Sequence, residues 1–150
     1  MINFEKEVIG TENGLPYLIK VSDQTETNID IDVYYENESV GNYGLLEWTR
    51  AFGEYELFVD LSKYEDYEKV WTSNIFVYPE HRQQGISRNL CEGLVTILQN
   101  VGGVHVVTFT ELGKERMKKN FIERGYERVQ LNGNPVPEGF ASNRWLAKQH

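Results

Sequence analysis

The sequence is poor in cysteine and in basic residues, and each shortage excludes a class of protein. Its single cysteine, Cys91, cannot form an intrachain disulfide, which excludes a disulfide-rich secreted scaffold. Fifteen Lys and Arg against 23 Asp and Glu give a formal net charge of −8, which opposes the basic face that binds nucleic acids. No apolar run is long enough for a signal peptide or a membrane span. We therefore expect a cytoplasmic protein with no nucleic-acid or membrane partner.

The chain does contain enough apolar residues for one globular core. Hydrophobic residues make up 40% of the 150, and neither an internal repeat nor a linker divides them. We therefore predict a single domain over residues 1–150. Metal binding is not expected, because three histidines and one cysteine are scattered without the spacing of a ligand set.

The hydrophobic pattern predicts strands first and then alternating strands and helices. Apolar residues alternate with polar ones in Tyr17–Val21 and in Ile29–Val33, and Val40–Trp48 follows a turn signal as the return strand. Further strands are predicted at Trp71–Tyr78, Val104–Phe109, Tyr126–Leu131 and Ser142–Lys148, and helices at Ile86–Val101 and Leu112–Arg124. This order favours an α/β (α+β) fold with a mixed, mostly antiparallel sheet and helices on both faces.

The segment from Ile75 to Leu90 contains the residues that indicate a binding site. A buried strand leads through a short loop into a helix, and the first turn of a helix offers unpaired backbone N–H groups and partial positive charge to an anion. Gly85 has no side chain to block a phosphate, and the Ser87 hydroxyl can donate a hydrogen bond. Arg82 and Arg88 add positive charge. The pattern therefore predicts an anion-binding turn, without the motif of a P-loop or of a dinucleotide site.

This turn resembles the pyrophosphate loop of the GNAT superfamily, the acyl-CoA-dependent N-acyltransferases. The family pattern is Q/R-x-x-G-x-G/A, usually after V-x-P-x-x. Here Val77–His81 precedes Arg82–Ser87, and Ser87 stands in the last small-residue slot as a mild departure. The resemblance covers residues 71–145, about half of the chain.

The resemblance implies direct transfer of an acetyl group from acetyl-CoA to a primary amine. It also implies that the strands Trp71–Tyr78 and Val104–Phe109 run parallel and splay apart around the pantetheine. The cofactor-binding residues that it implies are Phe76, Val77, Tyr78, Arg82, Gln83, Gln84, Gly85, Ile86, Ser87, Arg88 and Phe121.

Two features depart from the family pattern. The family's fourth helix ends in F-Y-x-x-x-G-F, and its tyrosine protonates the departing thiolate in many relatives. That slot holds Phe121 here, or Ile122 if the helix is one residue shorter, and neither side chain can donate a proton. Between Val21 and Ile29 lie about seven polar residues, too few for the two helices that relatives place there. We therefore expect a reduced N-terminal helical region and an acceptor site built differently.

The remaining predictions concern the base and the acceptor. Glu111, just after the second buried strand, is the first candidate for the base that takes the amine proton, and Glu68 is the second. The alternative for each of them is an ordinary surface carboxylate without a catalytic role. Acidic and aromatic residues between Glu54 and Glu68 would attract a cationic amine, either a small molecule or a protein amine. The sequence leaves open whether the protein forms a homodimer.

Two other functions are compatible with the sequence. The chain could be a catalytically weak or inactive acyl-CoA-binding module with a regulatory role. It could instead be an acidic inhibitor that binds another protein. Binding of coenzyme A separates the inhibitor from the other two functions, and turnover with amines separates the enzyme from the regulatory module.

Overall fold

The computed structural model describes residues 2–47, 60–64, 69–109, 115–129 and 144–150. Within them, eight strands form one mixed sheet in the order β1-β2-β3-β4-β5-β6-β8-β7. The strands are β1 (Glu5–Ile9), β2 (Pro16–Gln24), β3 (Asn28–Tyr35), β4 (Glu38–Glu47), β5 (Val70–Val77), β6 (Val104–Phe109), β7 (Glu127–Arg128) and β8 (Arg144–Gln149), and the helices are α1 (Ile86–Val101) and α2 (Glu115–Glu123). No helix in these residues is long and apolar enough to cross a membrane.

The chain divides into two compact units, so that the prediction of a single domain stays a prediction. The first unit comprises Met1–Leu45 and Ser73–Asn100, and the second comprises Leu46–Thr72 and Val101–His150. Strand β5 contributes its first three residues to the second unit and the remainder to the first.

The first unit is built on antiparallel strands that bury one face. On β2 the side chains of Tyr17, Ile19 and Val21 are buried, and their neighbours are partly or fully exposed, as the alternation predicted. A turn joins β2 to β3, with Thr25 N donating to Asn28 O at 2.7 Å. No helix lies between these two strands, which confirms the expected reduction of the N-terminal helical region.

Helix α1 has the predicted bounds and closes the core of the first unit. Its buried side chains recur at helical spacing, and they include Ile86, Leu90, Leu94, Ile97 and Leu98. The helix ends before Gly102, whose φ of +77° is the left-handed conformation that terminates many helices.

Strand β1 was not predicted from the sequence. Its five residues, Glu5–Ile9, begin with three charged side chains, and the strand pairs antiparallel with β2 at the edge of the sheet. Charged side chains are typical of edge strands, because they discourage pairing with other chains. A weakly hydrophobic edge strand therefore gives little signal in the hydrophobic pattern.

The second unit contains the parallel strand pair that was predicted. Residues Val70–Thr72 of β5 pair in parallel with Val104–Val106 of β6. Strand β8 pairs antiparallel with both β6 and β7. The mixed sheet with one parallel pair confirms the fold class predicted from the order of the elements.

Candidate functional site

The site begins where β5 leaves the sheet. Tyr78 N still donates to Val40 O at 2.9 Å, so the chain keeps its pairing for one residue beyond β5. A 3-10 turn then covers Pro79–His81, and its hydrogen bonds run from His81 N to Tyr78 O and from Arg82 N to Pro79 O. Proline is favoured at the start of such a turn, because its fixed φ fits and no amide donor is needed there. We call Tyr78–Gly85 the β5–α1 loop.

The backbone of Gln83–Gly85 alternates in the sign of φ, as anion-binding nests do. Gln83 has φ of +63° and Gly85 φ of +74°, whereas Gln84 between them is not in the positive-φ region. Such alternation points successive N–H groups into one concavity. The first turn of α1 follows at once, and its N–H groups have no intrahelical acceptor. This backbone geometry is compatible with an anion-binding turn, and the assignment of the site stays a prediction.

Arg82 supplies a positive charge that is held in place. Its Nε donates to Val77 O at 2.8 Å, and its guanidinium carbon lies 5.7 Å from the centre of the Phe76 ring. The Phe76 ring meets the Tyr78 ring edge to face at 5.4 Å. One hydrogen bond and one ring contact thus fix the guanidinium beside the loop, where it can pair with an oxyanion.

The residues predicted to bind the cofactor fall into two groups in the first unit. Three of them face the protein interior and anchor the segment: Val77, Gln84 and Ile86. The exposed members, which can meet a ligand, are Phe76, Tyr78, Arg82, Gln83, Ser87 and Arg88. Gly85 is half-buried, and a Cβ atom there would lie 3.2 Å from Thr11 Cγ2.

His81 has a defined role within the protein. Its Nδ1 lies 2.8 Å from the Tyr17 hydroxyl, and its ring contacts those of Tyr17 and Tyr35 at 5.5 Å each. Its partners fix the 3-10 turn that leads into Arg82, so its role in the described residues is structural.

Phe121 lies in the second unit, where its side chain is part of the core. The ring is 0% exposed and packs at 4.8 Å against Tyr126 and at 5.9 Å against His105. The end of α2 explains this placement: Tyr126 N donates to Phe121 O and Gly125 N to Ile122 O, which is a Schellman motif with Gly125 at φ +93°.

Ile122, the alternative occupant of the tyrosine slot, is 49% exposed. The assignment of Phe121 to the cofactor stays a prediction.

Replacing Phe121 with Tyr should therefore destabilise the protein. The added hydroxyl would enter a ring cluster that is fully buried, and an unsatisfied buried hydroxyl costs about 1–3 kcal/mol. Chemical denaturation measures the loss. Ile122→Tyr is the matched control, since the same side chain on an exposed position should change the free energy of unfolding little. Equal stability of the two variants would contradict the burial argument.

The second unit also contains a chain of three hydrogen-bonded rings. The Tyr126 hydroxyl lies 2.6 Å from His105 Nδ1 and 2.9 Å from His150 Nε2. Burial, followed by the neighbouring His150 charge, lowers the pKa of His105 well below its usual value. Burial, followed by Lys148, lowers the pKa of His150 to about 4. Both imidazoles are therefore neutral at neutral pH, and the cluster acts as a polar part of the core.

Two predicted catalytic residues, Glu111 and Glu68, lie outside the described residues. Most of the acidic and aromatic segment between Glu54 and Glu68 lies outside them as well. These assignments stay predictions. The described residues contain no cluster of three or more His, Cys, Asp or Glu that could hold a metal ion.

Sequence reasoning did not find the partner of the β5–α1 loop, which is the turn Gly10–Leu15 between β1 and β2. Thr11 N donates to Gln84 O, and the Gln84 side chain accepts hydrogen bonds from Glu12 N and Asn13 N. The only local signal is the run T-E-N-G, which is typical of a turn. Nothing in that run indicates a contact with residues more than 70 positions away.

Solved acetyltransferases have a similar fold. The GNAT domain of S. lividans PAT matches with a TM-score of 0.62 at 8% identity, over 97% of each chain. The acetyltransferase of the GNAT family from Streptococcus pneumoniae matches with a TM-score of 0.55 at 12% identity, over 84% of this chain and 68% of that chain. A GNAT family acetyltransferase from Elizabethkingia anophelis with acetyl-CoA bound gives a TM-score of 0.53 at 16% identity, over 83% and 77%.

No protein-family model matches the sequence, and no curated protein matches it. Identities of 8–16% carry no function from these structures to this chain, but the similarity extends over most of its length. The strand order, the parallel pair and the strand–loop–helix unit at Gly85 agree with that similarity. This chain therefore has the fold of the GNAT acetyltransferases.

Proposed function

We propose that the protein binds acetyl-CoA through the β5–α1 loop and the first turn of α1, and that it transfers the acetyl group to a primary amine. The observation that carries the proposal is the alternating backbone of Gln83–Gly85 directly before a helix N-terminus. Such a concave set of N–H groups suits a pyrophosphate, because both the nest and the helix dipole favour negative charge. Arg82, Arg88 and the Ser87 hydroxyl lie in the same segment and would add charge and hydrogen bonds.

The proposed reaction is a direct transfer. The amine nitrogen forms a bond to the thioester carbonyl carbon, the carbon–sulfur bond breaks, and the sulfur leaves as a thiolate. A backbone N–H near Val77 would bind the carbonyl oxygen as negative charge develops on it. Glu111, or else Glu68, would take the proton that the amine loses. Neither Phe121 nor Ile122 can protonate the thiolate, so we propose water as that proton source.

The missing proton donor also supports a second candidate, an acyl-CoA-binding regulatory module. The acidic inhibitor remains a third, and a cytoplasmic location is proposed for all of them. Mass spectrometry of coenzyme A species retained by the purified protein tests the shared cofactor site. Failure of acetyl-CoA to bind in titration calorimetry would overturn both acyl-CoA functions. Binding without turnover over a broad panel of amines would favour the regulatory module.

We propose a cationic amine as the acceptor, because the net charge of −8 would attract it. Surface charges act over about 8 Å at physiological salt, so the attraction should weaken as salt rises. Neutralising Glu65, Asp66 and Glu68 together should lower kcat/KM for the best amine at low salt and flatten its salt dependence. The affinity for acetyl-CoA, measured in parallel, should stay unchanged. A triple variant that matches the parent at both salt concentrations would contradict this role for the segment.

A further inference from the structure

The turn that joins β1 to β2, Gly10–Leu15, has a fixed shape of its own. Gly10 N donates to Leu15 O at 2.8 Å, and Gly14 N donates to Gly10 O at 3.0 Å. Gly14 has φ of +69°, which is accessible to glycine at low cost. A turn closed by its own hydrogen bonds can present its remaining N–H groups in a fixed direction.

Three other N–H groups of this turn point at the β5–α1 loop, whereas Leu15 N donates to Asn13 Oδ1 within the turn. Thr11 N donates to Gln84 O at 3.3 Å, while Glu12 N and Asn13 N donate to Gln84 Oε1 at 2.9 and 2.8 Å. Gln84 Nε2 in turn donates to Arg82 O at 3.2 Å. The Gln84 side chain is 8% exposed, and all three of its hydrogen bonds are made to backbone groups of the protein.

A second connection runs from the same turn to the other end of the loop. Asn13 Nδ2 donates to the Tyr17 hydroxyl oxygen at 2.8 Å, and that hydroxyl lies 2.8 Å from His81 Nδ1. The Tyr17 hydroxyl therefore links Asn13 to His81, because a hydroxyl that accepts one hydrogen bond can still form a second. Asn13 therefore contacts both ends of the segment His81–Gln84, directly at Gln84 and through Tyr17 at His81.

Between these two connections lies Gln83, whose backbone is strained. A non-glycine residue in the left-handed region costs about 1–2 kcal/mol, and such a conformation persists only where the surroundings enforce it. The Gln84 side-chain amide holds Gln83 in this conformation. Its Nε2 binds the carbonyl oxygen of Arg82, the residue before Gln83, and its Oε1 is bound by the β1–β2 turn.

We infer that Gln84 is a positioning residue for the pyrophosphate of acetyl-CoA. Its side chain does not meet the cofactor but holds the N–H groups of Gln83–Gly85 in the conformation that binds the anion. This inference rests on the proposed function, and it replaces the prediction of a direct cofactor contact by the Gln84 side chain with an indirect role. The β1–β2 turn thereby becomes part of the binding machinery.

The test compares acetyl-CoA with acetyl-pantetheine, which lacks the pyrophosphate, on the variant Gln84→Met. Met has a similar length but makes none of the three hydrogen bonds. Since a site loosened by about 1 Å binds poorly, we expect Kd for acetyl-CoA to rise about tenfold in titration calorimetry. KM for acetyl-CoA should rise with little change in kcat. The rate with acetyl-pantetheine should stay at the wild-type value.

Val95→Ala is the matched control, because Val95 is buried in the same unit but lies more than two turns along α1 from the loop. It should lower Tm without changing the affinity for acetyl-CoA. If Gln84→Met does not fold, Tyr17→Phe gives the milder test: it removes only the hydroxyl connection and should weaken acetyl-CoA binding but not acetyl-pantetheine turnover.

Equal losses with acetyl-CoA and acetyl-pantetheine would overturn the inference, since they would indicate general damage to the fold. A Gln84→Met variant with wild-type affinity would overturn it as well, while leaving the proposed function intact. A wild-type protein that does not bind acetyl-CoA at all would instead overturn the proposed function.

Discussion

Replacing Gly85 with Glu is expected to abolish acetyl-CoA binding, with Kd raised on the order of 100-fold or more. Gly85 has φ of +74°, and an added Cβ would lie 3.2 Å from Thr11 Cγ2. Any larger side chain must therefore strain the backbone or displace the β1–β2 turn. The carboxylate of Glu would add negative charge where the pyrophosphate is proposed to bind. Titration calorimetry with acetyl-CoA measures the loss, and circular dichroism verifies the fold.

Two further variants separate charge from strain at this site. Ser87→Asp places a carboxylate on an exposed position in the first turn of α1, where negative charge stabilises a helix. We expect Tm to stay equal or rise while acetyl-CoA affinity falls at least about tenfold. Gly85→Asn adds a side chain without charge, since Asn is neutral and tolerates positive φ better than most non-glycine residues, and this variant should bind acetyl-CoA more tightly than Gly85→Glu. If the two charged variants, Gly85→Glu and Ser87→Asp, both bind acetyl-CoA with wild-type affinity, the anion site must lie elsewhere.

Acidification is expected to destabilise the second unit through its buried histidines. His150 has a pKa of about 4 in the folded protein against about 6.5 in an unfolded chain, because burial and then Lys148 disfavour its charged form. The unfolded state therefore binds more protons between these two pH values. The stabilisation is complete above about pH 6.5 and is lost as the pH falls towards 4. The pKa of His105, which is completely buried, shifts in the same direction and adds to the loss of stability.

The structure gives a reason for this resistance to protonation. His150 Nε2 already meets the Tyr126 hydroxyl, and within the described residues its Nδ1 has no hydrogen-bond partner. A second proton on this ring would therefore be buried without an acceptor. After allowance for the partial exposure of the ring, we expect His150 alone to account for about 2 kcal/mol between neutral pH and pH 4.

The measurement is the free energy of unfolding in urea over this pH range, compared between the wild type and His150→Gln. The difference between the two curves cancels the carboxylates, which titrate in the same window. A difference that grows as the pH falls, with the variant losing less stability than the wild type, is the expected result. Parallel curves would show that His150 does not titrate in the folded protein as described. Tyr126→Phe should lower stability at all pH values, because it removes both hydrogen bonds.

How much of the fold was predictable depended on the strength of the local pattern. Strands β2 and β3 and helix α1 follow periods of 2 and 3.6 residues with turn or glycine signals at their ends, and they were found close to the predicted bounds. Strand β1 was missed, because its charged residues are stabilised by pairing with β2 rather than by burial. Within the predicted strand Tyr126–Leu131, the residues that the structure describes as a strand are Glu127 and Arg128.

The candidate site shows the same division. The sequence alone determined the strand–loop–helix unit, Gly85 at its turn and the basic residues beside it, since these depend on residue type and spacing within one short segment. It could not determine that the Gln84 amide faces inward or that Phe121 is buried while Ile122 is exposed. These directions follow from contacts with Glu12, Asn13 and His105, which are distant in sequence, and a side chain's direction is decided by what packs against it in three dimensions.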